Sequence, residues 1–97
     1  MMLSGAEDFV LLDVRSEQEF MGWRIAGARL FPYDRIRVRA RSLLPDRDQV
    51  ILVYCHSGRR SAIAAEQLVR MGYRNVYDFG GIYYWPYEVL ASQPLGG

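Results

Sequence analysis

Hydrophobic and polar positions divide the chain into short apolar runs and amphipathic stretches that alternate. Phe9–Val14 and Val50–Tyr54 are almost continuously apolar, which is typical of strands buried on both faces of a sheet. Residues 62–72 contain strong helix formers, apolar positions at 64, 65, 68, 69 and 71, and a terminal glycine, which predicts a helix after the second strand. This alternation predicts an α/β domain with a central parallel sheet.

Weaker patterns predict the remaining elements. Ser16 and Glu19 have the spacing of a capping box, which predicts a short helix through Met21, followed by a loop through Trp23 and Arg24. Residues 28–32 predict a short strand that ends at a proline. Near the end of the chain we expect a strand at 75–79, a turn at 80–81, a last helix starting at 82–85 with a proline in its first turn, and a frayed tail at 92–97.

The stretch from Tyr33 to Pro45 contains four arginines, and its local pattern is ambiguous. Alternating Arg and apolar residues suit an exposed strand, whereas Ile36, Ala40 and the leucines that follow share one face of a helix. We favour a helix, because two parallel strands need a crossover between them. The arginines suit an acidic protein or nucleic acid, but a solvated face is the simpler interpretation.

Composition excludes several classes of protein. Ninety-seven residues, 51% of them hydrophobic, suit one domain with a core at about 9–91. A formal net charge of +1 provides no bulk field for nucleic acid or membranes. The single cysteine excludes an internal disulfide. Without a signal peptide pattern or a membrane-spanning run, we expect a cytoplasmic location.

The candidate chemistry lies where the second buried strand ends. Cys55 ends that strand and a tight loop follows, at the sheet edge where α/β proteins bind ligands. Gly58 permits an unusual backbone dihedral, so loop N–H groups can converge on one point. The helix N-terminus and two arginines add positive charge, which predicts a lowered pKa and a nucleophilic thiolate. The alternative is an inert buried thiol.

These residues resemble the active-site loop of the rhodanese family of sulfurtransferases. The motif is Cys55-His56-Ser57-Gly58-Arg59-Arg60-Ser61, and three further signatures occur in order: Leu12-Asp13-Val14-Arg15 with Glu17 and Glu19-Phe20, then Ile25-Ala26-Gly27-Ala28, and finally Gly80-Gly81 with Trp85-Pro86. The resemblance covers about residues 10–90. It departs at Arg24 and Ala26, where family members often have histidine and proline. It implies one three-layer α/β/α domain with a central parallel sheet of four to five strands.

Loop length separates two chemistries within this superfamily. Six residues run from Cys55 to Arg60, as in the sulfurtransferases, whereas the related phosphatases and arsenate reductases use one residue more. The resemblance therefore implies transfer of a sulfane sulfur, from thiosulfate or another donor to a thiol or protein acceptor, through a persulfide on Cys55. The alternatives are a partner-dedicated module that carries or senses sulfur and, less favoured, a phosphatase or arsenate reductase.

The resemblance also implies roles for individual residues. Cys55 is the catalytic nucleophile, and residues 56 to 60 bind the substrate: His56, Ser57, Gly58, Arg59 and Arg60. We expect their backbone N–H groups to hold the transferred sulfur. The side chain of Arg60 is expected to close the loop, Arg59 to reach outward, and His56 to lie exposed at the rim. Structural support is assigned to Ser61, as the cap of the site helix, and to Asp13 and Arg15. No metal or cofactor is implied.

Overall fold

The computed structural model describes residues 9–81 and 89–91, the latter as backbone only. Its helices and strands alternate along most of the chain. In order they are β1 (Phe9–Asp13), α1 (Glu17–Gly22), β2 (Trp23–Ile25), β3 (Arg29–Leu30), a 3-10 turn (Tyr33–Arg35), α2 (Ile36–Leu43), β4 (Val50–Cys55), α3 (Arg59–Arg70), β5 (Asn75–Gly81) and β6 (Val89–Ala91).

A four-stranded parallel sheet lies at the centre, in the order β3-β1-β4-β5. The parallel sheet of four to five strands predicted from the sequence is confirmed, with four strands among the described residues. In the central strand β4, five of the six residues are buried, as the apolar run indicated. Such a strand is buried on both faces because layers of chain cover the sheet on each side.

Alternation along β4 divides its side chains between two apolar clusters. Ile51, Val53 and Cys55 face the cluster that α2 and α3 cover, which also contains Ile36 and Leu68. The side chains between them face the opposite cluster, with Leu11 and Ile25, where β2 lies and α1 contacts it. Cys55 and Tyr54 therefore point to opposite faces of the sheet although they are adjacent in the chain.

Local sequence signals placed two helices correctly. The Ser16 hydroxyl oxygen accepts from the backbone N–H of Glu19, and the Glu19 carboxylate accepts from the backbone N–H of Ser16, so the capping box is confirmed. The helix expected from the ambiguous arginine-rich stretch is confirmed as α2, preceded by one 3-10 turn. Its buried residues Ile36 and Ala40 face the core.

Two local predictions are wrong. The expected loop at Trp23 and Arg24 is β2, which pairs antiparallel with β6 far along the chain. The expected turn at Gly80–Gly81 is the end of β5, which pairs with Tyr54 and Cys55 beyond a register shift. Both errors arise because the pairing partner lies far away in sequence, whereas glycine and short polar stretches locally favour turns.

Part of the predicted architecture lies outside the described residues. This applies to the expected helix starting at 82–85, to Trp85-Pro86 of the last signature, and to the tail at 92–97. Within the described ranges, none of the helices has both the length and the apolar composition needed to cross a bilayer.

Candidate active site

Cys55 lies at the carboxyl end of the central strand, as the sequence predicts. β4 ends at Cys55 and α3 begins at Arg59, so residues 56–58 form the whole connection. Gly58 has a φ of 101°, a left-handed conformation that disfavours any residue with a Cβ. This tight turn aims the first N–H groups of α3 back at the end of β4.

The sulfur of Cys55 is surrounded by hydrogen-bonding groups. The backbone N–H of Gly58 donates to Sγ at 2.9 Å, and Oγ of Ser61 lies 3.6 Å from Sγ. Burial raises the pKa of the thiol, but the Ser61 hydroxyl and the N–H groups of Gly58, Arg60 and Ser61 outweigh burial, so the pKa lies below its ordinary value. The depressed pKa expected from the sequence is therefore confirmed in direction.

Burial alone does not distinguish this thiol from an inert core cysteine. Cys55 is 0% exposed and belongs to the apolar cluster beneath α2 and α3, as a structural cysteine would. The distinguishing feature is polar. An inert thiol in an apolar setting has a raised pKa, whereas converging N–H donors stabilise the thiolate here.

Ser61 does not cap the helix as predicted. α3 begins two residues earlier, with Gly58 as its N-cap and no side-chain cap. The Ser61 hydroxyl is buried and lies within hydrogen-bond distance of both the Gly58 carbonyl oxygen, at 3.1 Å, and the sulfur, so its one proton can turn to either. The prediction is wrong because the left-handed Gly58 lets the helix start immediately, which places Ser61 beneath the sulfur instead of at the helix end.

The two loop arginines face different surroundings. Arg60 forms a bidentate ion pair with Glu19 of α1, with N–O distances of 2.7 and 2.8 Å. The hydrogen bonds from Arg60 lower the pKa of Glu19 to about 2. Arg59 is exposed, in agreement with an outward orientation. The structure thus places the Arg60 guanidinium against α1, and its predicted contact with substrate stays a prediction.

Asp13 and Arg15 form a buried network beside the loop. Arg15 donates to both carboxylate oxygens of Asp13, and both side chains are buried, at 1% and 0% exposure. The hydroxyl of Tyr54 donates to Asp13 at 2.7 Å and accepts from the backbone N–H of Ile25. Burial raises the pKa of Tyr54, so it stays protonated as a donor. Since a buried ion pair adds specificity more than stability, this network suits a positioning role.

His56 is half-buried, not exposed at the rim as predicted. Its ring meets the Trp23 ring edge-on, with centroids 6.4 Å apart. The guanidinium of Arg15 lies over the Trp23 ring, 4.8 Å from its centroid. β2 brings Trp23 to this position, so the same strand that the sequence analysis missed also shapes the wall of the loop.

A close approach of β5 completes the loop. A Cβ built on Gly81 would lie 2.5 Å from the carbonyl oxygen of His56 and 3.2 Å from Cα of Ser57. Real Cβ atoms do not come so close to backbone, so this position requires glycine. Ser57 itself is exposed. The loop is therefore supported from β2 on one side and from β5 on another.

Three site residues carried no functional assignment at the sequence level. Glu19 was interpreted as a capping residue, Tyr54 as part of an apolar strand, and Trp23 as loop. Glu19 had the clearest signal, because it belongs to the first signature of the resemblance. The hydroxyl of a strand tyrosine next to the nucleophile is a weak further signal, since a buried tyrosine usually has a polar partner.

Comparisons with known proteins agree with this geometry. The family model described as Rhodanese-like domain matches residues 2–87. The chain is 34% identical over 71 residues to Thiosulfate sulfurtransferase PspE of Escherichia coli, covering 73% of this chain and 68% of that protein. It is 36% identical over 84 residues to a sulfurtransferase of Allochromatium vinosum, covering 86% of this chain and 77% of that protein.

Solved structures show the same fold. A rhodanese with anions from E. coli superimposes with a TM-score of 0.79 at 29% identity, covering 84% of this chain and 96% of that chain. The rhodanese-like domain of the Alr3790 protein from Anabaena has a TM-score of 0.83 at 25% identity, covering 96% of this chain and 75% of that chain. These likenesses confirm the predicted α/β class and its parallel sheet.

Proposed function

The chain belongs to the rhodanese-like domain family, whose relatives include sulfurtransferases, and we propose that it transfers a sulfane sulfur through a persulfide on Cys55. The donor is thiosulfate or a similar small anion, and the acceptor is a thiol or a protein. The proposal needs no metal or organic cofactor, and it places the reaction in the cytoplasm.

The first step is a displacement at sulfur. The Cys55 thiolate attacks the outer sulfur of thiosulfate, the S–S bond of the donor breaks, and sulfite leaves with the electron pair of that bond. In the second step the acceptor nucleophile attacks the outer sulfur of the persulfide. The new S–S bond then breaks, and its electron pair returns to Cys55 as thiolate. No oxidant or reductant is consumed.

One observation carries this proposal. The N–H groups of Gly58, Arg60 and Ser61 and the Ser61 hydroxyl all lower the pKa of Cys55. Donors arranged this way stabilise a thiolate before attack and a terminal persulfide anion after it. The loop is short, since only residues 56–58 separate β4 from α3. By its resemblance to the sulfurtransferases, a loop of this length supports a single added sulfur over a tetrahedral oxyanion.

The acceptor must come from outside. Cys55 is the only cysteine of the chain, so no second thiol within it can take over the sulfur. A carrier that discharges only to a dedicated partner would have the same loop. Identifying the acceptor therefore distinguishes a general enzyme from a partner-dedicated module.

Intact mass measured after incubation with thiosulfate tests the proposal. We expect a gain of one sulfur atom that cyanide reverses and that the Cys55→Ser variant does not show. Failure of thiosulfate and of a protein persulfide to add sulfur to folded wild-type protein would refute the proposal. Hydrolysis of a phosphate ester by the same preparation, dependent on Cys55, would favour the phosphatase alternative instead.

A further inference from the structure

The α2 segment carries a dense positive charge for which the described fold has no evident use. Arg35, Arg37, Arg39 and Arg41 are all exposed, and Val38 between them is 79% exposed. Among residues 9–81, these arginines form none of the ion pairs or side-chain hydrogen bonds that the structure contains. We call these five residues the arginine surface.

Helical geometry gives this surface a defined layout. At about 100° per residue, Val38 points directly away from the buried stripe formed by Ile36 and Ala40. The pair Arg35 and Arg39 then lies on one flank of the valine. The other pair, Arg37 and Arg41, lies on the opposite flank. The result is an apolar centre with guanidinium groups on both sides.

The arrangement opposes the stability of the helix. Like charges four residues apart destabilise a helix by about 0.2–0.5 kcal/mol, and α2 contains one such pair, Arg37 and Arg41, while Arg35 ends the 3-10 turn before it. The first turn of α2 contains no acidic residue, although a helix N-terminus favours negative charge. Patterns that violate local rules without a compensating contact are expected at functional surfaces.

Both flanks border cavities, and one of these cavities extends to Arg60 in the first turn of α3. Arg35 lines a cavity of about 260 Å³ together with Arg60, the loop arginine, and with Tyr33, Glu17 and Asp34 among others. Arg37 lines a second cavity, of about 420 Å³, against Glu66, Gln67, Arg70 and Met71 of the α3 region. The cavity beside Arg35 therefore connects the arginine surface with the first turn of α3, which follows the active-site loop directly in the chain.

We propose that the arginine surface docks an acidic segment of the protein that accepts sulfur from Cys55. The identity of the docked protein as the acceptor rests on the proposed function, whereas its acidic chemistry rests on the surface alone. Carboxylates pair with the two arginine flanks, and an apolar residue of the partner covers Val38. An apolar centre with arginine around it is typical of protein interfaces. The exposed Val38 favours a protein over duplex nucleic acid, because most contacts to a duplex are made to its phosphates and sugars, which offer no apolar side chain to cover the valine.

The test uses two labelled peptides that each contain one cysteine. In one peptide, aspartates and glutamates flank the cysteine; in the other, asparagines and glutamines replace them. Binding is measured by fluorescence anisotropy on the Cys55→Ser protein, and transfer is measured from wild-type protein loaded with sulfur. We expect the acidic peptide to bind at least about tenfold more tightly at low salt, and its advantage to shrink as salt rises.

Matched variants locate the effect. Arg37→Gln/Arg39→Gln/Arg41→Gln should abolish the advantage of the acidic peptide, whereas the triple change to lysine should keep most of it. Arg24→Gln removes a charge from β2 on the opposite face of the sheet. This variant should leave the advantage of the acidic peptide unchanged. Transfer from thiosulfate to cyanide should be the same in all of these variants, because no changed residue contacts the sulfur.

Two results would overturn the proposal. One is equal binding of both peptides at low salt; the other is an unchanged preference in the triple glutamine variant. Tighter binding of a duplex oligonucleotide that displaces the acidic peptide would assign the surface to nucleic acid instead. A failure of the proposed function is distinguishable, since the protein would then gain no sulfur while the binding measurement on Cys55→Ser still reports on the surface.

Discussion

Replacing Glu19 with glutamine removes one charge from the ion pair that ties α1 to the start of α3. Glutamine keeps the capping box, because it serves at this helix position as glutamate does, so the change isolates the contact with Arg60. The wild-type pair is bidentate, at 2.7 and 2.8 Å, and its side chains are 29% and 34% exposed. This geometry is much better than that of an ordinary surface pair.

The magnitude follows from the pKa of Glu19. Hydrogen bonds from Arg60 are the main cause that lowers it from 4.5 to about 2, which sets an upper limit of roughly 3–4 kcal/mol. Solvent screens a pair that is a third exposed, so we expect Glu19→Gln to reduce the free energy of unfolding at pH 7 by about 1–2 kcal/mol. For a domain of this size, that lowers Tm by about 5–10 °C.

The pH dependence provides a second, independent measurement. A carboxyl with a lowered folded-state pKa stabilises the fold fully above its unfolded pKa, and this stabilisation is lost as pH falls through the folded value. The difference between wild type and Glu19→Gln should therefore be constant above pH 4.5 and vanish toward pH 2. Urea unfolding at several pH values, followed by circular dichroism, measures it.

The chain offers a matched control. Glu66 and Arg70 of α3 lie 3.6 Å apart and are 69% and 78% exposed, so Glu66→Gln should cost at most about 0.5 kcal/mol. If both glutamine variants lose the same stability, or if the loss in Glu19→Gln persists unchanged at low pH, the reasoning from the ion pair is wrong.

Two further changes test the loop. Ser61→Ala removes a hydroxyl that lowers the pKa of Cys55, so the pH profile for alkylation of the thiol should move to higher pH; an unmoved or lowered profile would contradict the assigned role. Gly81→Ala places a Cβ 2.5 Å from the His56 carbonyl oxygen, so sulfur transfer should fall about tenfold or more. In contrast, Gly22→Ala, with no heavy atom within 4 Å of its Cβ, should retain full activity, and equal activity of the two alanine variants would refute the steric argument.

Some features of this protein are encoded within a few neighbouring residues. The apolar run before Cys55 predicts a buried strand, and the spacing of Ser16 and Glu19 predicts the start of α1; the structure has both. The glycine three residues after the cysteine predicts a tight turn, and the Gly58 N–H does meet the sulfur. These predictions succeed because dihedral preference, capping and side-chain periodicity act over one or two turns of chain.

Only the tertiary structure decided which distant groups meet at the site. Arg60 pairs with Glu19, and the Tyr54 hydroxyl bonds to Asp13, each across 41 positions in the sequence. Short-range patterns carry no information about such partners, because the sheet order and the packing of helices bring them together only once the whole fold forms. The sequence by itself therefore determined the buried strand that ends at Cys55, the turn beside it and the family resemblance, whereas tertiary packing decided where the Arg60 guanidinium points and what supports the loop.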